Sequence, residues 1–85
     1  MRITDWKFRQ SRVGDEGGWH KELLAIPKIK GRRVRISGME GRYYLSIVEK
    51  DGTWWSPPIE FKGPIPTIDE AKVKAEELAR YLEEI

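Results

Sequence analysis

Between Arg32 and Val48 the sequence RRVRISGMEGRYYLSIV sets Arg33 and Arg35 two residues apart and repeats the spacing with Arg42 and Tyr44. The places between are filled by Val34, Ile36, Tyr43, Leu45 and Ile47. Side chains two apart in an extended chain share a face, so one face gathers guanidinium groups and a ring while the other gathers a core. Trp54 joins the basic face when the next strand is added. Guanidinium groups beside flat rings supply both terms of nucleic-acid binding, charge for phosphates and π-surface for bases. Lys28, Lys30 and Arg32 lie in the adjoining turn, where they would extend the track. The residues expected to carry binding are therefore Arg33, Arg35, Arg42, Tyr44 and Trp54, with Lys28, Lys30 and Arg32 in support.

A polar outer face is also what any one-sided sheet needs, and arginine is a good cross-strand neighbour for tyrosine. The sign of the charge separates the two readings. A merely solvated face mixes both signs, whereas Glu60 is the one acid among Arg33, Arg35, Arg42, Tyr44, Ser46, Trp54, Ser56 and Glu60, the positions assigned to this face. The whole chain agrees. Of 85 residues, the first 66 carry a net charge of +5 and the remainder −3, giving the formal +2. That asymmetry implies a basic working face backed by an acidic one.

Other chemistries lack their residues. With no cysteine and one histidine, disulfides, thiolate sites and an ordinary zinc site are excluded. His20 stands alone beside Trp19 and reads as an ordinary strand or loop residue. Glu76-Glu77 and Glu83-Glu84 are adjacent on one helix and do not converge on a cleft. Neither the stretch 14–18 nor 38–41 has the lysine and strand-to-helix setting of a phosphate loop. No enzyme activity, cofactor or metal is expected. The longest apolar run is Leu23-Leu24-Ala25-Ile26, too short for a secretory or spanning segment, and a cytoplasmic protein without membrane contact is expected. Abundant Lys, Arg and Glu, no Asn and only Gln10 lean towards a thermophilic source.

The elements that must position the arginines follow from turns and periodicity. Thr67-x-x-Glu70 after Pro66 is a capping box that starts a helix at Ile68. Ile68, Ala71, Ala75, Leu78, Ala79, Leu82 and Ile85 then form one apolar stripe, the alanines permitting close approach to a sheet. Glu83 and Glu84 oppose the helix dipole, so the last turn frays unless Leu82 and Ile85 are buried. Upstream, Glu49 to Thr53 is a hairpin, read as a three-residue Lys50-Asp51-Gly52 loop because that register keeps apolar residues together. It pairs Ile47 with Trp55, Leu45 with Pro57, Tyr43 with Ile59 and Arg42 with Glu60. The loop 38–41 pairs Ile36 with Tyr43, Arg35 with Tyr44, Val34 with Leu45 and Arg33 with Ser46. Pro57 and Pro58 make residues 53–61 an edge strand. Two more strands, 3–12 and 20–26, flank the glycine-rich stretch 14–18, with Trp6, Phe8 and Trp19 as candidate anchors and an open register. The expected fold is a single α+β domain over 1–85. An antiparallel four- to five-stranded meander sheet (strands about 2–61) leads through a connector, 63–66, to one C-terminal α-helix, 68–84, packed on one face.

From Arg33 to Leu82, three strands followed by a helix opening Glu70-Ala71-Lys72-Val73-Lys74-Ala75 resemble the arm-binding domains of phage-type integrases and plant AP2 domains. The resemblance implies duplex DNA bound by the sheet. Strands followed by one helix, with Gly18-Trp19-His20-Lys21-Glu22-Leu23 as a local echo, also resemble the single-strand-binding PC4 type. Small phage proteins ending in a helix like Asp69-Glu70-Ala71-Lys72 are similar too. The primary expectation is thus a non-enzymatic nucleic-acid-binding protein, with DNA ahead of RNA and the strand form open. The alternative is a protein-binding adaptor or viral-type inhibitor docking an acidic partner surface. Either fits a monomer or a homodimer.

Overall fold

The alternating segments become strands. In the computed structural model, which describes residues 3–12 and 18–85, β1 (Trp6–Arg12), β2 (Trp19–Ala25), β3 (Arg33–Met39), β4 (Arg42–Val48) and β5 (Trp54–Trp55) form one antiparallel sheet in sequential order. A single turn of helix, α1 (Ile59–Lys62), and a long helix, α2 (Ile68–Glu84), follow. The fold is α+β, a five-stranded meander with the C-terminal helix against one face. Residues 14–17 of the expected glycine-rich loop lie outside the described residues.

Helix α2 begins where its capping residue sets it. Thr67 is extended and its Oγ1 accepts the Glu70 amide at 3.2 Å, which satisfies one of the amides left unpaired at a helix start. Ala71, Ala75, Leu78, Ala79 and Leu82 are buried against Val34, Ile36, Leu45 and Ile47 of the sheet. The helix lies over β3 and β4. At its end Leu82 is buried but Ile85 is exposed, so one of the two expected anchors holds the last turn.

The hairpin registers carry one confirmation and two corrections. Ile47 pairs with Trp55 as the three-residue loop requires, Gly52 has φ 93°, and Glu49 N–H donates to Thr53 O at 2.7 Å. Between β3 and β4, however, Ile36 faces Leu45, Val34 faces Ile47 and Arg35 faces Ser46. The pairing is shifted by two from expectation because Glu40-Gly41 alone make the turn, with Gly41 at φ 87°. A shift of two preserves every face.

The second correction concerns residues 56–65. The edge strand ends at Trp55, and Leu45–Pro57, Tyr43–Ile59 and Arg42–Glu60 do not pair. Pro57 and Pro58 have no N–H to continue the ladder, so the chain detours through α1, leaving Ile59 86% exposed. Ile65 takes the place opposite Tyr43 instead, with N–H···O bonds of 2.9 and 2.8 Å in the two directions. The expected connector is thus stitched to the sheet. Gly63, at φ 103°, allows this approach, since a Cβ there would lie 2.7 Å from Tyr43 O.

In the N-terminal hairpin, Trp6 faces Ala25 and Phe8 faces Leu23. Trp6 packs on the core, but Phe8 and Trp19 are 54% and 49% exposed. They fail as anchors because α2 covers β3 and β4, not the outer end of β1 and β2.

Asp51 organises the β4–β5 loop. Its Oδ1 accepts from Thr53 Oγ1 at 2.6 Å and from Thr53 N–H at 3.0 Å, and these bonds hold its carboxyl below the ordinary carboxylate value. A carboxyl whose folded pKa is depressed stabilises the fold above its unfolded pKa and loses that contribution as pH falls through the folded value. Asp51→Ala should therefore melt below wild type near neutrality. In thermal melts at descending pH the gap between the two curves should begin to close only as pH drops below the ordinary aspartate value of about 4.

Candidate nucleic-acid interface

The face away from α2 follows from register. Cross-strand partners share a side, so β3 contributes Arg33, Arg35, Ser37 and Met39, and β4 contributes Arg42, Tyr44, Ser46 and Val48. Leu24 opposite Arg35 places His20 and Glu22 there as well, and Arg9 opposite Glu22 adds Lys7 and Arg9 from β1. Trp54, opposite Val48, completes it. Among the described residues this face carries Lys7, Arg9, Arg33, Arg35 and Arg42 against the single acid Glu22. Glu60, expected on it, is displaced onto α1.

Arg35 is the fixed centre. Its Nε donates to the Oγ of buried Ser46 at 2.9 Å, and its Nη1 lies 4.0 Å from Glu22 Oε2. Its guanidinium also stands 5.2 Å from the centre of the Trp54 ring, within cation–π range. These contacts commit Arg35 to holding the indole in place. Trp54 remains 59% exposed and Tyr44 40%. The core side of the same strands is occupied by Tyr43, Leu45, Ile47 and Trp55, so these two rings stand outside the core.

Two shallow concavities flank this centre. One, about 210 Å³, is lined by Arg35, Ser37, Tyr44, Ser46, Trp54, Ser56 and Lys62. Lys62 arrives through the detour, because Phe61 of α1 packs on Tyr81 of α2 with centroids 5.8 Å apart. The other, about 200 Å³, lies between the turn at 30–31 and the loop at 50–52 and includes Lys28, Arg33 and Lys50 in its lining. Arg33 Nε is buried there without a hydrogen-bond partner among the described residues.

The site residues expected from sequence are thus divided. Arg33, Arg35, Arg42, Tyr44 and Trp54 share the open face, and Lys28 borders it beside Arg33. Lys30 sits exposed in the adjoining turn at φ 52°. Arg32 goes elsewhere. Its Nε pairs with Glu49 Oε1 at 2.9 Å, and the same oxygen accepts the Trp55 indole N–H at 2.7 Å. With its guanidinium 5.8 Å from the Trp55 ring, Arg32 belongs to the core-side rim. Its position next to Arg33 in a strand-like segment already signalled the opposite face. Lys62 was missed because a continuing edge strand, unlike a helical turn, does not bring it back over Tyr44.

The helix side has opposite character, since α2 carries six acids and three bases. Among the described residues there is no cluster of three metal-ligating side chains, and no helix is long and apolar enough to cross a membrane. Comparison with protein-family models, curated proteins and solved structures gave no match.

Proposed function

We propose that this protein binds nucleic acid through the open face of its sheet, without catalysing a reaction on it. The observation that supports this most is the conjunction on one face of five bases, one acid and two exposed rings. In this reading Arg33, Arg42, Lys28 and Lys62 meet phosphates; Arg33 and Arg42 lie on the open face, Lys28 and Lys62 line its concavities, and Arg35 holds Trp54. The acidic α2 lies behind the sheet and disfavours approach from that side.

The test is a fluorescence-anisotropy titration of labelled oligonucleotides over a range of salt. Each phosphate neutralised on a single strand contributes about −0.7 to the slope of log K against log salt, so four contacts give roughly −2.8. Affinity should then fall about 50-fold between ~50 and ~200 mM salt. A flat response, or no binding at the lower salt, would reject the proposal and leave an acidic protein as the partner to seek.

A further inference from the structure

The open face also bears on which form of nucleic acid it takes. Resting on the function just proposed, we infer that the ligand is single-stranded and that one of its bases stacks in the concavity between Tyr44 and Trp54, with Lys62 on the adjoining phosphate.

The width of the sheet argues against a duplex. Five strands at about 4.8 Å spacing span roughly 19 Å between outer backbones, more than the ~12 Å major groove of B-form DNA admits. The arginine at the middle is occupied as well. Arg35 is tied to Ser46, Glu22 and Trp54, and leaving those partners to read a guanine edge would unpair buried Ser46.

The rings point the same way. Bases in a duplex present only their edges in the grooves, so exposed rings find no π-surface there, whereas an unpaired strand offers one at every nucleotide. The concavity lined by Tyr44 and Trp54 measures about 210 Å³, suited to one planar heterocycle. Arg35 backs the indole, so the ring is already oriented before a ligand arrives and loses little freedom on binding. Ser37 and Ser56 at the lining supply hydroxyls for the base edge. Lys62, brought round by the Phe61–Tyr81 contact, stands at the same concavity as the cation for the backbone.

Three ligands separate this from charge alone, each titrated with wild-type, Trp54→Leu and Tyr44→Leu protein: labelled oligo(dT), an abasic deoxyribose-phosphate strand of equal length, and a duplex containing the same oligo(dT). Both rings are exposed, and circular dichroism checks that the variants remain folded. Wild type should bind oligo(dT) about tenfold or more tighter than the abasic strand or the duplex. Trp54→Leu should lower oligo(dT) affinity towards the abasic level while leaving abasic affinity unchanged. Equal, salt-sensitive binding of all three ligands would overturn the base-stacking site but keep nucleic-acid binding. Absence of binding to every ligand at low salt would overturn both.

Discussion

Reversing Arg42 and Lys62 together, as Arg42→Glu/Lys62→Glu, should weaken oligonucleotide binding on the order of 100-fold at low salt, since two phosphate contacts become repulsions. Both side chains are exposed, and such substitutions usually move stability by no more than about 0.5 kcal/mol. The double variant also takes the formal net charge from +2 to −2, so a control must carry the same change. Lys74→Glu/Arg80→Glu places it on exposed positions of α2, and should cost only a few-fold. A comparable loss in both variants would mean that the protein's overall charge, and not the arrangement on the sheet, governs binding. Reversal of Arg35 is a poorer test. It would set a second carboxylate near Glu22 and strip Ser46 of its partner.

Leu78→Ala should cost far more stability than truncation at any exposed position of α2. Leu78 is fully buried where the helix meets the sheet, and truncating such a leucine costs about 2–5 kcal/mol out of a total near 5–15 kcal/mol for a domain. At about 4–8 °C per kcal/mol for a chain of this size, the melting temperature should drop by roughly 8–40 °C. Val73, 60% exposed on the same helix, gives the contrast: Val73→Ala should shift melting by no more than a few degrees. Below its own transition Leu78→Ala should still bind oligonucleotides with near wild-type affinity, because the helix backs the sheet without touching the open face. Calorimetry and anisotropy on the same samples check both halves.

Helix α2 was legible to its first residue because Thr67 and Glu70 announce a cap and the alanine-leucine stripe has one helical phase. The faces of β3 and β4 were legible because alternation fixes parity. Their register was not, since pairing Ile36 with Tyr43 or with Leu45 leaves the same residues inside, and only the length of the turn decides. The prolines marked residues 53–61 as an edge, but a proline pair does not say that the strand stops at Trp55 or where the chain goes next. That depended on Phe61 finding Tyr81 and Ile65 finding the edge at Tyr43, two contacts made across long separations. Lys62 was hidden for the same reason. Arg32, by contrast, could have been assigned to the core-side rim from parity alone, and Lys7 and Arg9 to the open face once Trp6 was taken as an inward residue.

Amide chemical-shift mapping of ¹⁵N-labelled protein titrated with a short oligo(dT) tests the location of the site most directly. Shifts should concentrate at Arg33, Arg35, Arg42, Tyr44 and Ser46 and at the Trp54 indole N–H, extend to Lys62, and leave the outer side of α2 around Val73 and Glu77 unmoved. Shifts centred on α2, or none at saturating oligonucleotide, would contradict a nucleic-acid site on the open sheet.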